Sequence, residues 1–188
     1  YSIIAVDDGR TDQTGKILTS LQRDFPLVLL KHSKNLGLQA ALRTGLEKTV
    51  RTGKSNDAIV VMDADLTFNP FYIPVMMSNL RKGHDVVIAS RYVKGGKQVG
   101  VPFHRRVLSR GISILSRLLF KLPVKDVTCG YRCYKADIFS KIRHKYGPNF
   151  IESRGFEVAF ELLFKAHKVG AKITEIPILL DYSKKKSR

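Results

Sequence analysis

The sequence predicts an α/β fold, a mostly parallel sheet with helices on both faces, because short apolar runs alternate with helical patterns along the chain. Charged and polar residues close those runs: Asp7-Asp8 follows Val6, Asp63-Ala64-Asp65 follows Met62, and Ser90-Arg91 follows Ala89. Ligands of open α/β sheets bind beyond the carboxyl ends of the strands. Those three junctions are therefore the first candidates for a site.

The elements follow in order. Residues 1–6 form an apolar strand that turns at Asp7-Asp8-Gly9, and Thr11 or Asp12 can cap a helix with Ile17, Leu18 and Leu21 on its apolar side. Pro26 introduces a second strand at 27–30. A helix over 38–50 sets Leu38, Leu42, Leu46 and Val50 four residues apart on one stripe. Strand 58–62, a helix over 71–82 and strand 86–89 complete the first half. Gly95-Gly96 makes a flexible connection to 103–122, where Val107, Leu108, Ile112, Ile114, Leu115, Leu118 and Leu119 interleave with Arg105, Arg106, Arg110 and Arg117. That pattern suits an interfacial membrane helix and equally a core helix with a basic solvent face. A helix over 156–169 and a strand over 173–180 close the fold, with Pro177 pointing to an edge or irregular position.

Composition narrows the function. The 188 residues suit one globular domain, and the net charge of +17 marks a surface attractive to phosphate on nucleic acid, nucleotide sugars or anionic lipid. Between Asp85 and Asp126 there is no acidic residue, while Arg91, Lys94, Lys97, Arg105, Arg106, Arg110, Arg117, Lys121 and Lys125 fall in that interval. No apolar run is long enough to cross a bilayer, so this part of the chain is expected to be soluble or peripheral. The chain begins at Tyr1 within an apolar stretch, and a preceding segment is expected. Cys129 and Cys133 are too few for a disulfide scaffold or a structural zinc site, which leaves free thiols in a reducing cytosol as the expectation.

Side chains alternate along a strand, so Asp63 and Asp65 are expected on one face with Ala64 turned away. Two hard oxygen donors suit Mg²⁺ or Mn²⁺ with positions left open for substrate phosphates. Competing motifs fail. Gly53-Lys54-Ser55 resembles the end of a phosphate-binding loop, but the required glycine is replaced by Lys48; no Gly-x-Gly-x-x-Gly follows the first strand, and no Gly-x-Ser-x-Gly is present.

Val6-Asp7-Asp8-Gly9-x-Thr-Asp, Asn35-x-Gly37 with Ala41 and Gly45, Asp63-Ala64-Asp65-Leu66-Thr67-x-x-Pro70, Ser90-Arg91-Tyr92 and Thr128-Cys129-Gly130-Tyr131-Arg132 appear in that order. This set resembles family-two glycosyltransferases of the polyprenyl-phosphate hexosyltransferase branch, over nearly the whole chain. The resemblance implies a GT-A nucleotide-sugar-binding fold: a single domain over 1–188, incomplete at its N-terminus, with a donor half over 1–95 and an acceptor half over 96–188. It implies inverting transfer of mannose or glucose from a GDP- or UDP-hexose to a polyprenyl phosphate, on the cytosolic face of a membrane, with Mg²⁺ or Mn²⁺ as cofactor. An anionic membrane surface is the implied partner.

The same resemblance places Val6 and Asp8 beside the nucleoside, and Asp63, Ala64 and Asp65 at the donor diphosphate and its metal. Thr67 stands where a polar side chain, often Gln, completes the metal site. Arg91 lies between donor and acceptor phosphates, Arg105 and Ser109 hold the acceptor phosphate, and Arg188 supplies a closing cation on the donor side. Asp65, Arg91 and Arg105 are the implied catalytic set. Glu157 stands where other family-two enzymes carry an acid suited to act as base. The chain departs from the family in lacking a Pro-x-Tyr-Asn-Glu strand, in Tyr182 for an arginine, and in Lys185 for a glycine.

Three alternatives remain open at this level: a family-two transferase with a hydroxyl acceptor on a glycan or lipid, a basic nucleic-acid-binding module, and an inactive truncated paralogue. Carboxylates at the strand ends argue against nucleic acid, because they repel a phosphate backbone unless metal intervenes.

Overall fold

The computed structural model describes residues 1–148, 150–153, 155 and 157–184. β1 (Ile3–Asp7) and β2 (Leu27–Lys31) pair in parallel, from Ile3 opposite Leu27 to Asp7 opposite Lys31. Parallel neighbours require a crossover, here α1 (Thr14–Leu21). Its start differs from the expected cap at Thr11 or Asp12: Gln13 occupies the cap position without a side-chain cap bond, and Asp12, one residue earlier, accepts the Thr14 N–H through Oδ1 at 2.9 Å. The turn before it requires glycine. Gly9 has φ 66°, and a Cβ there would lie 2.2 Å from the Lys34 carbonyl carbon.

α2 (Leu38–Thr52) lies against β1, with Leu46 in the core and Leu42 and Val50 packed beside it. The predicted stripe is present, although Leu38 at its N-terminal end is exposed. Gly45 faces Val6 so closely that a Cβ would meet Val6 Cγ2 at 3.4 Å.

β3 (Ala58–Val61) leads through a 3₁₀ turn at Pro70–Tyr72 into α3 (Ile73–Arg81), then β4 (Val86–Ser90). The second half adds β5 (Lys97–Val99), α4 (Phe103–Phe120), β6 (Arg132–Lys135), α5 (Ala136–Tyr146), α6 (Val158–Lys168), β7 (Ile173–Pro177) and β8 (Leu179–Asp181). The main sheet has the order β3-β6-β4-β7, while β1-β2 and β5-β8 form separate parallel pairs. β4 and β7 are parallel, but β6 enters between β3 and β4 antiparallel to both.

The sequence signals explain which elements were legible. All five residues of β4 are buried, as its unbroken apolar run requires of a central strand. β6 is equally central, yet Arg132-Cys133-Tyr134-Lys135 has cations at both ends and no apolar run. The predicted strand over 173–180 divides at Ile178, and Pro177 ends β7 on the sheet edge, where its missing N–H costs no ladder bond. The core gathers Met76 and Leu80 of α3, β4, and Ile138, Phe139 and Ile142 of α5 around Tyr134.

Candidate functional site

β3 ends at Val61, paired with Arg132, and Asp63-Ala64-Asp65 lies in the loop beyond it. Strand alternation therefore does not set these carboxylates: Asp63 and Ala64 are exposed and Asp65 is half-buried. Leu66, exposed with φ 63°, reverses the chain, and Thr67 turns inward to become buried. The Thr67 N–H and hydroxyl both donate to Asp65 Oδ1, at 3.1 and 2.5 Å. Thr67 thus orients the carboxylate of Asp65, and the Asp181 N–H fastens the loop to β8 through the Thr67 carbonyl at 3.3 Å.

Arg91 follows β4 and is the best-anchored residue of the site. Its Nε donates to Asp126 Oδ2 at 2.8 Å and its Nη2 to Asp126 Oδ1 at 2.7 Å, a two-pronged pairing that a lysine could not reproduce. Nη2 also reaches Thr128 Oγ1 at 2.6 Å and Ser109 Oγ at 3.2 Å, and the guanidinium carbon lies 4.9 Å from the Tyr92 ring centre. Burial alone would disfavour the Arg91 charge, but the Asp126 carboxylate outweighs it and holds the guanidinium more firmly protonated than in water. The Asp126 side chain is fully buried, and its own backbone N–H is held by Glu175 Oε1 at 2.9 Å.

A cleft of about 700 Å³ opens over this network. Asp63, Thr67, Arg91, Thr128, Arg132 and Tyr182 are among its lining residues, with Leu38, Leu42, Val158 and Leu162 as apolar wall. The structure thus brings Asp63, Thr67 and Arg91 to one cavity and sets Ser109 behind Arg91. Arg105 stands exposed one helical turn before Ser109 on α4, on the same side by spacing. Glu157 is exposed beside the cleft-lining Gly155, whose N–H it accepts at 3.0 Å. Val6 and Asp8 do not line this cavity, and Arg188 lies outside the described residues.

Asp8 instead joins three segments. Its carboxylate accepts the N–H groups of Leu36 at 2.9 Å and Gly37 at 2.8 Å, and contacts His32 Nδ1 at 2.7 Å; His32 Nε2 continues to Thr44 Oγ1 at 2.9 Å. Burial would raise its pKa, but these hydrogen bonds prevail and hold it below the usual carboxylate range. A depressed carboxylate stabilises the fold above its unfolded-state pKa, and that contribution fades as pH falls through the folded value. Asp8→Ala should therefore cost about 1–3 kcal/mol at neutral pH by stripping two amides of their acceptor, and the loss should shrink below about pH 4. Urea melts of both proteins across that range, with amide exchange at Leu36 and Gly37, check this; a pH-independent difference would refute the charge-based clamp.

Sequence reasoning missed Asp126. Its signal was present, since it is the first acid after the gap beginning at Asp85 and stands two residues before the Thr128–Arg132 motif. It also missed Arg132, which is buried with Nη2 donating to the Val127 carbonyl at 2.7 Å and Nη1 to the Ala159 carbonyl. The cysteines are free, and burial pushes each thiol up to about 12, which suits packing and not nucleophilic work.

Among the described residues no three His, Cys, Asp or Glu side chains stand together as a metal cage. The donor set still fits a divalent cation of the kind that takes one or two carboxylates and fills its remaining positions with water or phosphate, because Asp63 is a hard oxygen donor lining the cleft and Asp65, two residues on, is bonded to the cleft-lining Thr67 without lining the cleft itself.

The chain is similar to known proteins. A dolichol-phosphate mannosyltransferase of Pyrococcus furiosus is 31% identical over 181 residues, spanning 94% of this chain and 47% of its own length. A polyprenol monophosphomannose synthase of Mycolicibacterium smegmatis is 32% identical over 178 residues, or 94% of this chain and 65% of that protein. The chain thus spans about half to two thirds of the length of these relatives. A crystal structure of glucosyl-3-phosphoglycerate synthase from Mycobacterium tuberculosis, in complex with Mn²⁺, uridine diphosphate and phosphoglyceric acid, superposes with a TM-score of 0.66 at 17% identity. It covers 96% of this chain and 58% of that one, and the likeness speaks to the shared GT-A-like fold alone. The model of glycosyl transferase family 2 matches residues 1–143. Together with the carboxylates beyond β3 and the arginine beyond β4, that match makes this chain a member of glycosyl transferase family 2.

Proposed function

We propose that this chain carries out inverting transfer of a hexose, mannose or glucose, from a GDP- or UDP-hexose to a polyprenyl phosphate, working peripherally on the cytosolic face of a membrane. The observation that carries the reading is Arg91, a permanently charged fork held by Asp126 in the wall of the cleft that Asp63 and Thr67 also line. The relatives named for polyprenol and dolichol phosphate support that acceptor class. Residues 1–95 supply the donor side of the cleft and 96–188 the acceptor side.

In this reading Asp63 and Asp65 hold Mg²⁺ or Mn²⁺, with Thr67 fixing Asp65 and Val6, Asp8, Ala64 and Arg188 on the donor side. A cation held by these carboxylates would supply Lewis-acid stabilisation of the charge on the departing nucleoside diphosphate. Arg91 lies between the two phosphates, and Arg105 and Ser109 orient the acceptor. A phosphate monoester has its second pKa at about 6 and is largely an oxyanion at neutral pH. One of its oxygens attacks the anomeric carbon from the face opposite the leaving group, and the carbon–oxygen bond to the diphosphate breaks with its electron pair leaving on the diphosphate. The acceptor needs no general base.

That last point separates this reading from a hydroxyl-acceptor transferase, for which Glu157 beside the cleft is the available base. Arg105→Ala should lower transfer to a short polyprenyl phosphate tenfold or more, about 1.5–3 kcal/mol for a charged hydrogen bond, with donor binding nearly intact. Glu157→Gln should change transfer by much less. Both variants are assayed in the full-length protein at saturating donor. Abolition of transfer by Glu157→Gln with a mild Arg105→Ala would replace the phosphate acceptor by a hydroxyl one.

A further inference from the structure

Among the described residues Arg132 is the most deeply buried cation, 1% exposed at the start of β6, and it also lines the cleft. Its position follows from the register. β6 runs antiparallel to both neighbours, so its first residue stands at their carboxyl ends, opposite Val61 of β3 and Ile88 of β4. Asp63 follows Val61 by two residues and Arg91 follows Ile88 by three. Arg132 thus stands between the two strand ends that carry the cleft's carboxylate and its anchored arginine.

Its bonds leave a charge and a donor over. Nη2 donates to the Val127 carbonyl at 2.7 Å, and Nη1 to the Ala159 carbonyl and, at 3.5 Å, to the Tyr134 hydroxyl, while the buried Nε–H has no hydrogen-bond partner. Carbonyl and hydroxyl dipoles accept such bonds without cancelling a unit charge. Other cations drawn out of water are matched: Arg91 by Asp126, and Lys165 by Glu161 at 2.6 Å and Glu152 at 3.2 Å. Among the described residues no carboxylate pairs with Arg132. A buried ion without a counter-charge is costly, and that cost falls when an anion enters the adjoining low-dielectric cavity.

Charge matching selects the anion. Asp126 already takes up the charge of Arg91, and a divalent cation held by Asp63 and Asp65 would have its two charges met by those carboxylates. The acceptor phosphate has the exposed Arg105 of α4. The diphosphate of the donor is the group left without a matching cation.

We propose that Arg132 is a binding residue for the diphosphate of the sugar donor, supplying its positive charge through the cleft wall. This deepens the transferase reading and rests on it. It adds to the site a residue that stands in the core of the sheet and not in a loop.

The probe is inorganic pyrophosphate with Mg²⁺, titrated by calorimetry into the full-length protein. Arg132→Met should weaken binding about tenfold or more, as loss of a charged partner at a desolvated site does. Arg132→Lys keeps the charge but not the fork that spans the Val127 and Ala159 carbonyls, and should stay within about threefold of the wild type. Binding of a short polyprenyl phosphate without donor should be unchanged in both variants. Equal losses of pyrophosphate affinity in the two variants would overturn the proposal, leaving Arg132 a strut between two carbonyls. Wild-type pyrophosphate affinity in Arg132→Met would overturn it too, as would a loss confined to the polyprenyl phosphate, which would move Arg132 to the acceptor. Where Arg132→Met does not fold, the lysine variant carries the comparison. In the wild type, moreover, the Arg132 Nε resonance, identified by its disappearance in Arg132→Lys, should move in nitrogen NMR spectra as pyrophosphate is added; a stationary resonance would refute the proposal. Each of these failures leaves the transferase reading standing, whereas a wild-type protein that binds no pyrophosphate with Mg²⁺ would bring down the donor site and this inference with it.

Discussion

Asp126→Ala should be the most damaging single substitution outside the hydrophobic core. It removes a fully buried carboxylate and leaves the Arg91 guanidinium, itself largely buried, without its counter-charge. Breaking such a pair costs about 3–5 kcal/mol, because the remaining ion has lost its water and its partner together. The Arg91 and Cys129 N–H groups lose an acceptor as well, each bonded to Asp126 at 3.0 and 3.2 Å. Urea denaturation measures the loss. Combining Asp126→Leu with Arg91→Met should recover much of the stability, since no unpaired charge then remains, while leaving transfer at the background of an enzyme without Arg91. Recovery of both properties would show that Arg91 is structural and has no part in the chemistry. A single Asp126→Ala variant as stable as the wild type would show that water reaches the pair.

The second large effect is expected at the carboxylates beyond β3. Asp65→Ala in the full-length protein should abolish the metal dependence of GDP- or UDP-hexose binding and lower turnover by on the order of 10²–10³-fold, several kcal/mol of lost charge stabilisation. Thr67→Val keeps the carboxylate but removes the hydroxyl that holds Asp65 Oδ1, and should weaken metal affinity roughly 10–100-fold, as loss of an orienting partner does. Calorimetry with Mg²⁺, with Mn²⁺ and with a chelator reads both effects. Equal donor affinity in all three conditions and in both variants would remove the metal from the reaction. A Thr67→Val effect as large as that of Asp65→Ala would instead make the threonine oxygen a ligand in its own right.

Both predictions rest on residues whose visibility in the sequence differed for a physical reason. β4, the stripe of α2 and the carboxylates at strand ends were legible because local patterning reports burial directly: an unbroken apolar run wants two covered faces, and a four-residue stripe wants one. Asp63, Asp65 and Arg91 were singled out by that route together with the family resemblance. The details of their geometry were not, because Asp63-Ala64-Asp65 leaves the strand before its alternation can apply, and Leu66 resets the chain with a positive φ.

By itself, then, the sequence determined the α/β class, most helices and strands, the position of carboxylates beyond one strand and of an arginine beyond another, and the basic stretch without acids. Tertiary structure alone decided that β6 is a central antiparallel strand, that Asp126 anchors Arg91 from 35 residues away, and that α4 turns its serines inward and its leucines out. The reason is common to all three. Periodicity records how apolar and polar side chains are spaced, whereas strand order, ion pairing and the choice of buried helix face depend on partners distant in sequence; a hydroxyl that finds a buried partner can take the inner side of a helix from a leucine that does not.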